Sequence, residues 1–152
     1  MTTPSRQLCT FLLGPQLFGV DVIRVQEVFR WQEMTRVPLA SRDIRGLINL
    51  RGQIVTAIET RRRLGMPDRE GGDLPMNVLV RTDDGVVSLL VDEIGDVVEV
   101  DEGSFEPPPI TMTQASRDLV RGVYKLEGGQ LLLLLDTERA ANVSNAPGVE
   151  TR

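Results

Sequence analysis

Ala40-Ser-Arg-Asp-Ile-Arg-Gly-Leu-Ile-Asn-Leu-Arg-Gly-Gln-Ile-Val-Thr-Ala-Ile-Glu-Thr60 recurs later in the chain as Ala115-Ser-Arg-Asp-Leu-Val-Arg-Gly-Val-Tyr-Lys-Leu-Glu-Gly-Gly-Gln-Leu-Leu-Leu-Leu-Leu-Asp-Thr137. Arg45-Gly46, Leu50, Gly52 and Gln53 return as Arg121-Gly122, Leu126, Gly128 and Gln130, with two single-residue insertions. Self-similarity of this length marks an internal duplication. It continues upstream in weaker form: Val22-Ile-Arg-Val-Gln-Glu-Val28 matches Val91-Asp-Glu-Ile-Gly-Asp-Val97, with apolar residues at the first, fourth and seventh places and an acid at the sixth. Pro38 then has a counterpart in Pro107-Pro108-Pro109. The halves fall near 6–66 and 76–142, and Pro67 to Pro75 has the composition of a linker. Units of roughly 70 residues are small for independent cores. Residues 6–142 are therefore expected to form one domain, with 143–152 as a flexible tail.

Within each copy the repeat reads as a hairpin. Leu47–Leu50 and Ile54–Ile58 join through Arg51-Gly52-Gln53, where Gly52 supplies a conformation costly for other residues; Val123–Leu126 and Leu131–Leu135 repeat the design. Leu131–Leu135 lacks polar alternation, which predicts burial on both faces. Ser41 and Ser116 look like helix N-caps, with Gly46 and Gly122 ending helices of little more than one turn. Short helices are also expected at Thr60–Leu64 and Thr137–Ala141. Further strands are expected at Leu8–Leu13, Phe18–Val22, Asn77–Thr82, Val86–Val91 and Val97–Val100. Val22–Phe29 fits strand and helix alike. Trp31 is expected to be partly buried. Many short strands with few single-turn helices point to a mainly β fold of barrels or a sandwich.

Composition narrows the function. Of 152 residues none is histidine, which removes the commonest general base and metal ligand and every Ser-His or Cys-His pair. The single cysteine, Cys9, leaves no intramolecular disulfide and no thiolate cage, so no metal or cofactor is expected and a cytoplasmic setting fits. A net charge of -5 and 4% aromatics argue against nucleic acid. No secretory signal or membrane-spanning run is visible. Ten arginines face five acids between Arg24 and Arg69, whereas Thr82–Ser116 holds nine acids and no Lys or Arg. That asymmetry suits an acidic solvated rim or complementary docking onto a partner or another copy. Phosphate-loop and dinucleotide motifs are missing. The acid pairs Asp83-Asp84, Asp92-Glu93 and Asp101-Glu102 are sequence neighbours, which in a strand point to opposite faces, so they read as solvated rather than as a catalytic pair. Arg61-Arg62-Arg63 reads as a helix surface near acids rather than a phosphate site.

Phe18-Gly-Val-Asp-Val22, Val25-Gln-Glu-Val28, Thr35-Arg-Val-Pro38, Ile44-Arg-Gly-Leu-Ile-Asn-Leu-Arg-Gly52, Leu90-Val-Asp92 with Val97, and Asp118–Gly122 leading into Leu131–Asp136 occur in this order. Together they make the chain resemble the chemotaxis coupling proteins, the CheW-like domains, over about Arg6–Asn142. The resemblance implies two intertwined, pseudo-symmetric five-stranded SH3-like β-barrels with a few short helices. It also implies a non-enzymatic adaptor that binds the regulatory domain of the histidine kinase CheA and the cytoplasmic tip of a chemoreceptor, at membrane-associated arrays where other copies are further candidate partners. By position, Val22 and Val25 match kinase-facing residues, and Val25, Gly46, Ile48, Arg51, Ile94 and Val97 match a receptor-binding groove between barrels. Val22, Ile48 and Val97 suit the core as well, and Gly46 suits a helix stop. Arg51, at a hairpin tip, has little structural duty.

Two departures stand out. Thr56-Ala-Ile-Glu-Thr-Arg61 replaces a usual Pro-Ile-Val-Asp-Leu-Arg, and Ser88 replaces a glycine, adding bulk if that glycine admits a partner. A paralogous adaptor of a surface-sensing or type IV pilus pathway stays open. An oligonucleotide-binding barrel and a carboxylate-only enzyme are remote readings.

Overall fold

The computed structural model describes residues 4–143, so the expected tail lies, but for Val143, outside the described residues. Strands β1 (Ser5–Leu13) and β2 (Gln16–Asp21) form an antiparallel hairpin, followed by a 3-10 turn at Val22–Arg24 and β3 (Val25–Phe29). The stretch that fitted strand and helix alike is thus divided between a helical turn and a strand. A second hairpin, β4 (Ile44–Leu50) and β5 (Gln53–Glu59), runs into α1 (Thr60–Arg63). Beyond the linker come the hairpin β6 (Met76–Thr82) and β7 (Gly85–Val91), then β8 (Glu93–Asp101) and the two-residue β9 (Phe105–Glu106). Helix α2 (Gln114–Leu119), the hairpin β10 (Val120–Lys125) and β11 (Leu131–Leu135), and α3 (Thr137–Ala141) complete the chain.

Two sheets result, ordered β8-β1-β2-β11-β10-β9 and β3-β6-β7-β5-β4. Each takes one hairpin from the far half of the chain: β1-β2 pairs with strands of the second half, β6-β7 with strands of the first. Exchanging β1, β2, β8, β10 and β11 for β6, β7, β3, β4 and β5 maps one order onto the other, down to the single parallel pairing in each (β2 with β11, β7 with β5). The duplication is therefore a pseudo-twofold of intertwined sheets, and one has six strands rather than five because β9 adds to it.

Thr35 does the equivalent work in the other sheet. It follows β3 and exchanges hydrogen bonds with Leu47 of β4, donating at 2.9 Å and accepting at 2.8 Å. Gly46 and Gly122 lie under these closing segments. A Cβ on Gly46 would stand 2.8 Å from the Thr35 carbonyl oxygen, and one on Gly122 would stand 2.4 Å from that of Glu106. Both follow a register shift in their hairpin. They are strand glycines required by close backbone approach, which corrects their reading as helix stops.

The expected helix after Ser41 is absent, although α2 forms at the matching place. Thr113 caps α2 by accepting the Ser116 N–H at 3.2 Å, so Ser116 lies inside the helix rather than at its cap. Counting back from Ala40 and Ala115, the first copy has Pro38 where the second has Thr113. Proline offers no side-chain acceptor, and residues 37–44 take two turns instead, Ala40 N–H to Val37 and Ile44 N–H to Ser41.

A core shared by both sheets holds Phe11, Phe18, Val20, Val78, Leu89, Val91, Leu133 and Leu135, and smaller clusters fill each sheet's other face. Leu132 and Leu134 face one such cluster while Leu133 and Leu135 face the shared core, so β11 is buried on both sides as its all-leucine sequence predicts. Each leucine so buried contributes roughly 1.5–3 kcal/mol. Among the described residues no helix is long and apolar enough to cross a membrane.

Candidate docking surface

Asp21 starts the surface. Its Oδ1 accepts the Ile23 N–H at 3.3 Å and bends the chain into the 3-10 turn. Arg24 donates to the Arg81 carbonyl (3.3 Å) and pairs with Glu138 (2.8 Å), while Arg81 donates back to the Ile23 carbonyl (3.0 Å). Ile23, at 73% exposure, is therefore presented on a clamped turn. Val22 is half-buried, and half-buried Val25 packs against the shared core. Val28, further along β3, is exposed.

The tip of the β4-β5 hairpin lies beside β3. Arg51 and Gly52 both take positive φ (53° and 87°), and the Asn49 Oδ1 accepts the Gly52 N–H at 3.0 Å. Consecutive left-handed residues suit a two-residue hairpin, and glycine covers only one of them. Arg51 pairs with Glu27 of β3, its side chain remaining largely exposed. The hairpin-tip arginine thus has a structural partner, contrary to expectation, and the pair ties the tip to the strand that closes the sheet.

β8 carries the second part. Ile94 lies opposite Phe11 and Val97 opposite Cys9, with an irregularity between them where Thr10 Oγ1 donates to the Asp96 carbonyl at 2.5 Å. By the repeat, Ile94 is the counterpart of Val25, and Val97 that of Val28. The pairs behave alike: Val25 and Ile94 are half-buried against the shared core, whereas Val28 and Val97 are exposed.

Two expected contacts fail this test. Ile48 is 1% exposed, packed with Ala57 and Leu90, and Gly46 is covered by Thr35 and Met34. These residues shape the sheet and present nothing outward, because inward-facing positions of β4 alternate with outward ones. Ser88 is likewise interior, donating to Asn77 Oδ1 at 2.7 Å, so its extra bulk meets no partner. Sequence reasoning missed Ile23, Glu27 and Val28. Val28 was available from the repeat as the mate of Val97; Ile23 needed knowledge of which way the turn faces.

The shielded carboxylates Asp92 and Glu59 sit in ion pairs. Arg61 holds Asp92 in a fork (3.0 and 2.6 Å), Gly14 N–H donates to the same carboxylate at 2.6 Å, and Arg69 approaches it at 2.7 Å. Burial alone would raise the Asp92 pKa, but these hydrogen bonds and charges outweigh it and hold it below 3.8. Arg69 and Arg45 share the buried Glu59 at 2.8 and 3.2 Å. Arg62 pairs with Asp68, and Arg63 donates to the Ala140 carbonyl. The arginine run is a bracket between the sheets and the linker, as the acids near it suggested. Burial, then the nearby Asp21 charge, raises the Cys9 thiol pKa, which leaves it a poor nucleophile. No group of three or more Cys, Asp or Glu side chains able to hold a metal occurs among the described residues.

Comparison with known proteins agrees with this fold. The family model described as CheW-like domain matches residues 7–144. The chain belongs to the CheW-like domain family of chemotaxis adaptors. It is 31% identical to the chemotaxis protein CheW of Rhizobium meliloti, covering 88% of this chain and 86% of that one. It is 30% identical to CheW of Bacillus subtilis, covering 87% and 84%. The scaffolding protein TtCheW from Thermoanaerobacter tengcongensis superposes with a TM-score of 0.82 at 28% identity, covering 93% of this chain and 95% of that one. The motif Ile44 to Gly52, one of those that carry the resemblance, is thus the strand under the Thr35 bridge together with the Arg51 tip.

Proposed function

We propose that this CheW-like chain joins a histidine kinase of the CheA type to the cytoplasmic tip of a chemoreceptor, without catalysis of its own. The observation that carries the reading is the pairing of exposed apolar residues on two equivalent edge strands, Val28 on β3 and Val97 on β8, with Ile23 held out on its clamped turn. Edge strands with apolar anchors are what a second protein can grip. The regulatory domain of the kinase takes the Val22-Ile23 turn and Val25. The receptor tip takes Arg51, Ile94 and Val97. Ser88 and Thr60 are interior, so of these departures from the family pattern the half-buried Thr56 is the one that reaches towards the surface, on β5 and away from the Val22-Ile23 turn.

Arg51→Glu places like charges at the Glu27 pair, and because the site is exposed the fold survives. Reconstituted arrays of receptor, kinase and this variant should show kinase activation reduced about tenfold, an effect of roughly 1.4 kcal/mol. Wild-type activation with this variant would remove Arg51 from the coupling surface. Ile23→Asp should weaken kinase binding in a pull-down while leaving receptor binding intact.

A further inference from the structure

We propose that the loop between β3 and β4 is a docking site for an acidic protein segment that carries an apolar side chain among its carboxylates. None of the residues lining this groove belongs to the surface assigned above to kinase and receptor, so the inference adds a third contact. The groove holds about 510 Å³. Its rim is built by a turn in which Pro38 precedes Leu39 and the Ala40 N–H donates to the Val37 carbonyl at 3.2 Å. Leu39 there has φ of 67°, at a turn position normally given to Gly or Asn. Its side chain is 81% exposed. Arg62 of α1 donates to the Arg42 carbonyl at 2.7 Å and anchors the loop from behind.

Four guanidinium groups line the groove, and they divide in two. Arg45 is engaged by Glu59 and stacks 5.0 Å from the Trp31 ring centroid, and Arg62 is engaged by Asp68. Arg36 and Arg42 make no salt bridge among the described residues, Asp68 acting on Arg42 only through space while its carboxylate is bound to Arg62. Two unpaired cations thus flank an apolar side chain held in open solvent by a strained turn. A small anion would satisfy the cations and leave Leu39 and Val37 wet. A nucleic acid would find no aromatic side chain in the lining and a protein of net charge -5. A peptide with carboxylates on either side of a leucine satisfies both features, the carboxylates through forked arginine contacts.

The test is a titration of the isotope-labelled full chain with the pentapeptide acetyl-Asp-Glu-Leu-Glu-Asp-amide, read by amide chemical shifts. Shifts should concentrate at residues 36–45 and weaken as salt rises. The double variant Arg36→Glu/Arg42→Glu should bind at least about fivefold more weakly, as expected for losing two exposed ion pairs. Leu39→Ser should bind about threefold more weakly, by loss of apolar contact. All three positions are at the surface, and dispersed spectra of the variants verify folding. Four results would overturn the proposal: no shifts with the peptide, equal shifts with inorganic phosphate alone, indifference to replacing the peptide's leucine by serine, or the same shifts on concentrating the protein without peptide. The last would make the occupant a second copy of this chain.

Discussion

Arg61–Asp92 and Glu138–Arg24 occupy corresponding but not identical places in the two halves, with the charges exchanged: the repeat sets Asp92 against Ile23, so Arg24 lies one residue further along. In each, the second residue of the helix after a hairpin (α1 or α3) pairs with a residue at the end of the other half's hairpin. In each, the carboxylate also takes an N–H from the turn of the opposite hairpin, Gly14 of β1-β2 for Asp92 and Asp83 of β6-β7 for Glu138. The duplication has kept the clasp and let its polarity reverse. What differs is burial. The Arg61 and Asp92 side chains are 14% and 18% exposed, against 38% and 36% for Arg24 and Glu138. Removing one member of a shielded pair strands the other charge, whereas a wet pair loses little.

The largest expected effect is therefore at the shielded clasp. Arg61→Ala leaves Asp92 with only Arg69 and the Gly14 N–H and should destabilise the fold by about 2 kcal/mol, read as a lowered urea midpoint. Arg24→Ala should cost under about 1 kcal/mol. Equal losses would show that burial does not distinguish the two clasps.

The same contrast is expected against pH. Asp92 is held below its ordinary value in the folded state, so as pH falls the unfolded chain takes up this proton first. Its contribution is complete above about pH 4 and declines as pH drops through the lower folded value. Arg61→Ala should flatten that acid limb in denaturation midpoints measured between about pH 5 and 2, and Arg24→Ala should leave its slope unchanged.

Smaller effects sharpen the comparison from either side. The Thr60 hydroxyl, fully buried in the first copy, has no hydrogen-bond partner among the described residues, so Thr60→Val should stabilise by about 1 kcal/mol. In the second copy, Thr113→Ala should cost about 1 kcal/mol by uncapping α2, whereas Pro38→Ala should not produce a matching helix. Calorimetric midpoints for the first and helical circular dichroism for the second check these.

The duplicated stretch made both hairpins, the double burial of β11 and the paired anchor positions legible, because each is a local pattern or an offset between copies. The exchange of hairpins between sheets was hidden. Nothing in the alternation of β1 or β6 says which distant strand lies beside it, since pairing is chosen by the whole set of apolar faces. Glu59 was equally opaque. A glutamate in sequence reads as solvated, and only Arg45 and Arg69 arriving from elsewhere explain its burial. Similarity between copies also misled at Ser41, where the cap that matters lies three residues upstream and is not repeated. At the matching inward positions Ile48 and Tyr124 the interior itself has diverged: Tyr124 donates to Glu102 at 2.8 Å, and burial followed by that hydrogen bond pushes its pKa up to about 12.

The exchange of hairpins gives the two sheets different histories during synthesis. One is drawn from an uninterrupted run of chain, β3 to β7, and has all its strands as soon as Val91 has emerged. The other needs both ends of the protein, so β1 and β2 leave the ribosome long before β8 and β11 exist to flank them. Domains fold as their parts become available, and distant pairings form last. The amino-terminal hairpin can pack Phe11 and Phe18 against β6 and β7 but must wait with both edges unpaired and Leu8 uncovered, and the sheet carrying Val97 is the last part of the adaptor to be finished.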